Sequence, residues 1–458
     1  SVNQNNIKSV HITNYYHKDS GGISTAYNKL LEAANRRGRY VRLIVPGEHS
    51  SVEEIGEFGR IYYVKSGYSP VFDKRYRLMM PWNAYIPDGS PIKAILRDEQ
   101  PDLIEIGEKY TLSLMAGLMR KGILNVSPKR PILVHTSCER MDDNVSSFIA
   151  KGRLINWFTR RYMGNYNIPM FDFHLANSSY TGQEMLDAAS SGTNPNRSNA
   201  FFNFCWRLLR APKIALKDRL FVNQCGVDNE LFSISRQNEE TRKTLIAEYD
   251  LPSDATILLY AGRISPEKNI GLLPKMMQKL ASDETRNYKL IVAGSGPAAE
   301  TLAMECESLA PGSFKILGQI SDRERLADLF ANCDAFVHPN PREPFGITPL
   351  EAMASGLPVV APNAGGILSY ATNENSWLAE PGGESFALAV HEVFSDTLER
   401  AKRIDSAFKT SAKYTWESST DAMFALYDRM YAEFNENPDL FDYENSATGI
   451  DFARLCST

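Results

Sequence analysis

The chain has 458 residues, 43% of them hydrophobic and 23% charged, enough to build two or three domains with sizeable cores. A net charge of −5 argues against a general nucleic-acid binder. Six cysteines (Cys138, Cys205, Cys225, Cys306, Cys333, Cys456) form no C-x-x-C pair, so neither a disulfide framework nor a zinc site is signalled, and a reducing cytoplasm is the simplest home. The chain shows no charged-then-apolar leader, and no uninterrupted apolar run approaches the roughly 20 residues that span a bilayer, so the expectation is a soluble or at most peripheral protein.

Short β-type runs alternate with helical patterns, which predicts parallel sheets of the doubly wound kind. A first series of candidate strands begins at Val10-His11-Ile12, Val41-Arg42-Leu43-Ile44-Val45, Leu103-Ile104-Glu105-Ile106, Ile132-Leu133-Val134 and Phe173-His174-Leu175-Ala176. After the first of these, Asp19-Ser20-Gly21-Gly22-Ile23-Ser24-Thr25 leads into a helical pattern, leaving backbone N–H groups unobstructed for an anion. It matches neither the G-x-G-x-x-G fingerprint nor the GKS/T phosphate loop, so a nicotinamide or ATP reading loses support. His135 ends a candidate strand in Leu133-Val134-His135, where a histidine is more often a hydrogen-bonded structural residue than a ligand contact. Glu108, Glu139 and Arg140 fit either solvated loop charges or contacts to a second substrate. Three segments, at 72–82, 153–162 and 201–210, mix aromatic with basic residues. Such segments can dock on an anionic membrane surface, or be ordinary helix faces with snorkelling arginines.

Asn223-Gln224-Cys225-Gly226-Val227-Asp228-Asn229-Glu230-Leu231-Phe232 reads as an interdomain connection, and a second strand series follows at Ile257, Leu290, Phe314, Ala335 and Val359. Two sheets are implied. Ala261-Gly262-Arg263-Ile264-Ser265-Pro266-Glu267-Lys268-Asn269 puts two cations after a strand, where open α/β sheets bind ligands, although a lone surface cation usually binds nothing. Ala293-Gly294-Ser295-Gly296-Pro297 and Ala364-Gly365-Gly366 are glycine turns of a common type. Between them, Arg342-Glu343-Pro344-Phe345-Gly346-Ile347-Thr348-Pro349-Leu350-Glu351 sets two carboxylates eight residues apart across a helix start near Gly346 or Ile347. Pro349 suits the first turn, and the free amides of Phe345 to Thr348 suit a phosphate. Glutamates on both sides of an anion site could hold the hexose and ribose hydroxyls of a nucleotide sugar; spacing alone fits a capped helix with two solvated glutamates equally well. The last long helical pattern runs from about Thr415 to Phe434, followed by a polar tail.

The wording of 342–360 closely resembles the glutamate pair and following helix of retaining glycosyltransferases with the GT-B fold, specifically glycosyltransferase family 4. The connection at Asn223 to Asp228 also resembles that family's asparagine-glycine-valine-aspartate linker, with Gln224 and Cys225 inserted. The resemblance implies two Rossmann-like domains facing a central cleft: residues 1–232 for the acceptor, 233–414 for the nucleotide sugar, and 415–458 as a helix and tail crossing back to the first domain. It gives Glu343 the donor-sugar hydroxyls, Glu351 the ribose, and Arg263 and Lys268 the diphosphate. It implies donor contacts from Gly21, Gly22, Gly294, Leu317, Phe345, Gly346, Ile347 and Thr348 and a donor-sugar contact from His135 near the reacting centre; Glu108, Glu139 and Arg140 are the candidates for facing the acceptor, with solvated loop charges as the equal alternative.

The reaction so implied is transfer from a UDP- or GDP-linked sugar to a hydroxyl of a saccharide or lipid-linked acceptor, with retention, by front-face substitution. No metal or other cofactor is called for, and no Asp-x-Asp motif is present. A cytoplasmic enzyme is expected, with contact at the inner face of the membrane if the aromatic-basic segments dock there. A phosphorylase, a nucleotide-sugar epimerase or a non-catalytic nucleotide-sugar binding protein could share the donor pocket.

Overall fold

The structure is a computed structural model that describes residues 7–17, 21–69, 76–86, 89–138, 153–191 and 200–441. The chain divides into two compact units, residues 1–224 with 419–458, and residues 225–418. The connection at 225–232 thus belongs to the second unit, because Val227 and Phe232 are buried in that unit's core.

In the first unit, strands β1 (Ser9–Ile12), β2 (Val41–Gly47), β3 (Ser51–Ile55), β4 (Gly59–Lys65), β7 (Leu103–Ile106), β8 (Ile132–Ser137), β9 (Phe173–Ala176) and β10 (Leu220–Val222) form one sheet, in the order β10-β9-β8-β7-β1-β2-β4-β3. The two-residue strands β5 (Gly67–Tyr68) and β6 (Arg77–Leu78) pair separately. All neighbours in the large sheet are parallel except the β3–β4 edge hairpin. Side-chain alternation sends Val41, Leu43 and Val45 of β2 to one face and Ile44 to the other, so each face acquires its own apolar layer. One layer is closed by Tyr27, Leu30 and Leu31 of the helix Gly22–Arg37 and by Phe424, Tyr427, Met430 and Phe434 of the last long helix, Trp416–Glu436. These four residues recur at helical spacing, giving residues 419–441 an apolar stripe against the first unit.

The second unit carries six parallel strands, β11 (Ala255–Ala261), β12 (Asn287–Ala293), β13 (Phe314–Gly318), β14 (Ala335–Val337), β15 (Val359–Pro362) and β16 (Trp377–Ala379), ordered β13-β12-β11-β14-β15-β16. The chain runs outward from β11 in one direction and then returns to continue in the other, so the switch point lies between β11 and β14. The crevice outside the carboxyl ends of those two strands is where a sheet of this topology binds ligands.

A charge cluster centred on the fully buried Asp172 and Arg120 ties the first unit together. Asp172, just before β9, accepts hydrogen bonds from Arg120 Nη2 at 2.5 Å, Arg130 Nη1 at 2.7 Å and Leu133 N at 2.8 Å. Arg120 also donates to the Phe441 carbonyl at 2.5 Å, so the end of the described chain is bonded to the same cluster. Burial pushes the Asp172 carboxyl up, but Arg130 and Arg120 outweigh it and hold the group below its ordinary value. Its contribution is present above the carboxylate range and is lost as pH falls. Replacing Asp172 by alanine leaves a buried guanidinium without its partner and is expected to cost ~3–5 kcal/mol, read as a lower urea midpoint for the first unit's unfolding transition.

Candidate active site

Everything at the carboxyl edge of β11 and β14 depends on two loops held by backbone contact. The loop after β11 is locked to the loop after β12: Gly262 N donates to Ala293 O at 3.0 Å and Ile264 N to Ser295 O at 2.9 Å. A Cβ on Gly294 would sit 1.8 Å from the Gly262 carbonyl oxygen, so this residue has to be glycine for the two loops to meet. Gly294 N donates to Gly318 O at 2.9 Å, which brings half-buried Leu317, beside the end of β13, to the same edge. The loop after β14 rests on the turn after β15: Gly366 N donates to Glu343 O at 2.7 Å, and a Cβ at Gly366 would meet the Pro344 carbonyl oxygen at 1.7 Å. The glycine pair Gly365-Gly366 is therefore the seat of the Glu343 loop.

Below that loop, Phe345 is buried against Tyr370 and Tyr414, and the Tyr370 hydroxyl donates to the Gly346 carbonyl. Phe345 thus contributes an anchor and a backbone group, not a side-chain contact. Gly346 has φ +86°, and the helix Ile347–Ala354 starts immediately after it, with Thr348 in its first turn and Pro349 at its third position. The amides of that turn have no intrahelical acceptor and carry the positive end of the helix dipole.

On this frame Lys268 Nζ lies 3.2 Å from Glu343 Oε1 and 3.1 Å from Oε2, and Asn340 Nδ2 donates to Oε2 at 3.1 Å. His338 Nε2 is 3.5 Å from the same oxygen. Burial pushes the Glu343 carboxyl up, but Lys268, His338 and Asn340 together hold it below its ordinary value, so it is ionised at neutral pH. Burial keeps the His338 imidazole down at about 4, with Glu343 pulling up and Lys268 pushing down, so at neutral pH it is uncharged. Arg263 leaves β11 on the same loop as Lys268, and its guanidinium is 3.9 Å from Glu267. Glu351 lies on the buried face of the helix; burial pushes its carboxyl up to about 7, Arg323 offsets part of this, and Asp228 adds to it.

Arg263, Lys268, Gly294, Leu317, Glu343, Phe345, Gly346, Ile347, Thr348 and Glu351 therefore belong to one edge of one sheet. His338 and Asn340 were not singled out from the sequence; a histidine before a proline and an asparagine in a turn carry no signal of their own.

The first-unit candidates divide. Gly21, at φ +94°, opens the helix Gly22–Arg37, and a Cβ there would meet open space, so the conformation and not crowding calls for glycine. His135 does not end its strand. β8 continues to Ser137, and the His135 ring is fully buried between Phe171 and His174, with Nδ1 3.2 Å from His174 Nδ1. That placement corrects the expected sugar contact; the first residue past the strand is Cys138. Glu108 is also corrected. It is buried, and its carboxylate accepts the N–H groups of Tyr110 at 2.9 Å, Thr111 at 3.0 Å and Leu112 at 2.7 Å, which makes it a cap for the following turn and not an acceptor-facing charge. Glu139 and Arg140 lie outside the described residues, as do Asp19 and Ser20. Among the described residues no group of three His, Cys, Asp or Glu side chains is placed to hold a metal ion, and no helix is long and apolar enough to cross a membrane.

Two doubly wound sheets, with Lys268, Arg263, Glu343 and Glu351 on the loops and helix at the switch point of the second, give the architecture of the GT-B fold. Residues 241–410 match the family model described as glycosyl transferases group 1. Over 422 residues it is 23% identical to the GDP-mannose-dependent alpha-(1-6)-phosphatidylinositol dimannoside mannosyltransferase of Mycobacterium tuberculosis, covering 92% of this chain and 96% of that protein. The sucrose-phosphate synthase of Thermosynechococcus elongatus superposes with a TM-score of 0.65 at 19% identity, over 93% of this chain and 100% of that one. HepE of Anabaena in complex with UDP gives a TM-score of 0.64 at 16% identity, over 92% and 100%. Both structural likenesses are likenesses of fold.

Glu351 provides a test of the site's electrostatics. A carboxyl raised in the folded state stabilises below its unfolded value and loses that contribution as pH rises through about 7. Glu351→Gln is expected to raise the second unit's stability at pH 8 by roughly 1–3 kcal/mol and to change little near pH 4, as read from urea midpoints at the two pH values.

Proposed function

We propose that the chain is a retaining, metal-independent hexosyltransferase that moves a sugar from a nucleotide diphosphate sugar to a hydroxyl of a saccharide or lipid-linked acceptor. The observation that carries this reading is the Lys268–Glu343 pair: a cation suited to a diphosphate lies against a carboxylate suited to sugar hydroxyls, on the loops that also carry Arg263 and the start of the Ile347–Ala354 helix. In this assignment Glu343 accepts from hydroxyls of the donor sugar and Glu351 from the ribose. Arg263, Lys268 and the first-turn amides take the charge that grows on the leaving diphosphate, with Gly294 and Leu317 lining the nucleotide end. In the first unit the Gly21–Gly22 helix start offers anion-binding amides of its own.

The acceptor hydroxyl attacks the anomeric carbon from the face the diphosphate leaves. The carbon–oxygen bond to phosphate breaks, the departing phosphate oxygen takes the hydroxyl proton, and the nucleoside diphosphate departs. Preorganised charge at that oxygen lowers the barrier. The relative that aligns over nearly all of both chains is named as using GDP-mannose on a phosphatidylinositol dimannoside, which favours a GDP-linked hexose and a lipid-linked acceptor here.

A membrane-facing acceptor fits one surface of the first unit. On the helix Arg153–Tyr162, Leu154, Trp157 and Phe158 are exposed, and on the helix Ala200–Leu208, Phe201, Phe204 and Leu208 are exposed. The two helices are linked through Tyr166, whose ring packs at a tilt on Tyr162 and edge to face on Phe201. Large exposed apolar side chains beside Arg160, Arg161 and Arg207 are the composition of a peripheral docking face on anionic lipid. The free thiols Cys138, Cys205, Cys225, Cys306 and Cys333 suit a reducing compartment such as the cytoplasm.

Screening GDP-, UDP- and ADP-sugars for binding and slow hydrolysis, followed by lipid and soluble acceptors with the best donor, is expected to yield a product of retained configuration whose formation EDTA leaves unchanged. Glu343→Ala is expected to fold normally and lose transfer by about 100-fold or more, the effect of removing a charged hydrogen-bonding group from a transition state. Near-normal turnover in that variant would sink the assignment. In a separate measurement, the double variant Phe158→Glu, Phe204→Glu is expected to stop sedimenting with phosphatidylglycerol-containing vesicles while keeping soluble donor hydrolysis.

A further inference from the structure

Glu343 Oε2 already has two donors, Lys268 Nζ and Asn340 Nδ2, both at 3.1 Å. A carboxylate oxygen offers about two lone-pair sites, so a third donor on the same oxygen is shut out. His338 is that third donor. Its Nε2 is buried, 3.5 Å from Oε2, and makes no hydrogen bond. The imidazole cannot move away to find another partner: its backbone N–H is bonded to Val360 O at 2.9 Å, its ring stacks on Phe336 at 17°, and the residue is 5% exposed. Lys268, by contrast, is a flexible chain with 27% of its side chain exposed.

We propose that Lys268 is the exchangeable partner of Glu343 and His338 the permanent one. When a diphosphate draws Lys268 away, a lone pair of Oε2 is freed, and His338 Nε2–H bonds to it and, with Asn340, holds the carboxylate towards the sugar. His338 is a positioning residue that acts through Glu343, and the inference rests on the donor reading above. The other titratable groups facing Glu343 are Lys268 and the phenols of Tyr260 and Tyr370; burial, together with Glu343 itself, raises both phenols, so they stay protonated and uncharged near neutrality. The arrangement also accounts for an otherwise costly feature, since a buried nitrogen left without a partner here gains one when the ligand arrives.

The test compares wild type with His338→Leu and His338→Gln, using GDP and GDP-mannose as probes, or the nucleotide and sugar that the donor screen selects. His338→Leu is expected to bind free GDP within about twofold of wild type, because no sugar is present for Glu343 to hold, and to lose about tenfold or more in kcat for donor hydrolysis. The acid limb of its kcat/KM profile is expected to move to higher pH, because an apolar neighbour raises the Glu343 carboxyl. His338→Gln, which keeps an N–H donor, is expected to recover much of kcat and return the limb towards its wild-type position. An unshifted limb with wild-type kcat in His338→Leu overturns the inference while leaving the donor reading intact, as does loss of GDP binding and turnover together in a folded variant. Failure of wild type to bind any nucleotide overturns the donor reading itself.

Discussion

A glutamate that stands almost buried stays ionised when a cation and donated hydrogen bonds offset the cost of removing it from water, and Lys268, with Asn340, does this for Glu343 at the second sheet's switch point. The surrounding geometry keeps the two loops in place for it. Gly294 lets the β11 and β12 loops touch, Gly366 seats the loop that carries Glu343, and the Phe345, Tyr370 and Tyr414 rings close that loop from below. Lengthening any of these contacts would part the charges and leave each facing desolvation alone.

The buried carboxyls show how far one partner decides the outcome. Burial raises Glu343, Asp172, Glu351 and Glu108 alike. Glu343 and Asp172 end below their ordinary values because a lysine or arginines bond them directly. Glu351, offset only in part by Arg323, reaches about 7, and Glu108, held by backbone amides alone, also reaches about 7. A protonated Glu108 still caps its turn, so a neutral group there costs the fold little.

Much of the architecture was legible because alternating apolar runs and helical patterns report a doubly wound sheet directly; every strand expected from the sequence is present. The β3–β4 hairpin was not foreseen, since Glu53 and Glu54 interrupt its pattern at an edge where one side meets solvent. The placement of His135 failed at a boundary, as a strand two residues longer than expected buried the ring and moved the sheet edge to Cys138. Glu108 was misread because a capping carboxylate and a ligand-facing one look alike until the backbone amides around them are known. His338, Asn340 and the seating role of Gly366 were invisible for a related reason: each acts through a neighbour brought close only by the fold, across 3 to 23 positions of sequence.

The short stretch from Glu343 to the first helical turn is one piece of backbone, pinned at Glu343 O by Gly366 and at Gly346 by its left-handed conformation and Tyr370. It therefore behaves as a caliper whose jaws, a carboxylate held by Lys268 and Asn340 and a set of helix amides, sit on one continuous stretch of backbone and not on two independently mobile elements. On the proposed reading the gap between them sets the spacing of sugar hydroxyl and phosphate that the protein accepts.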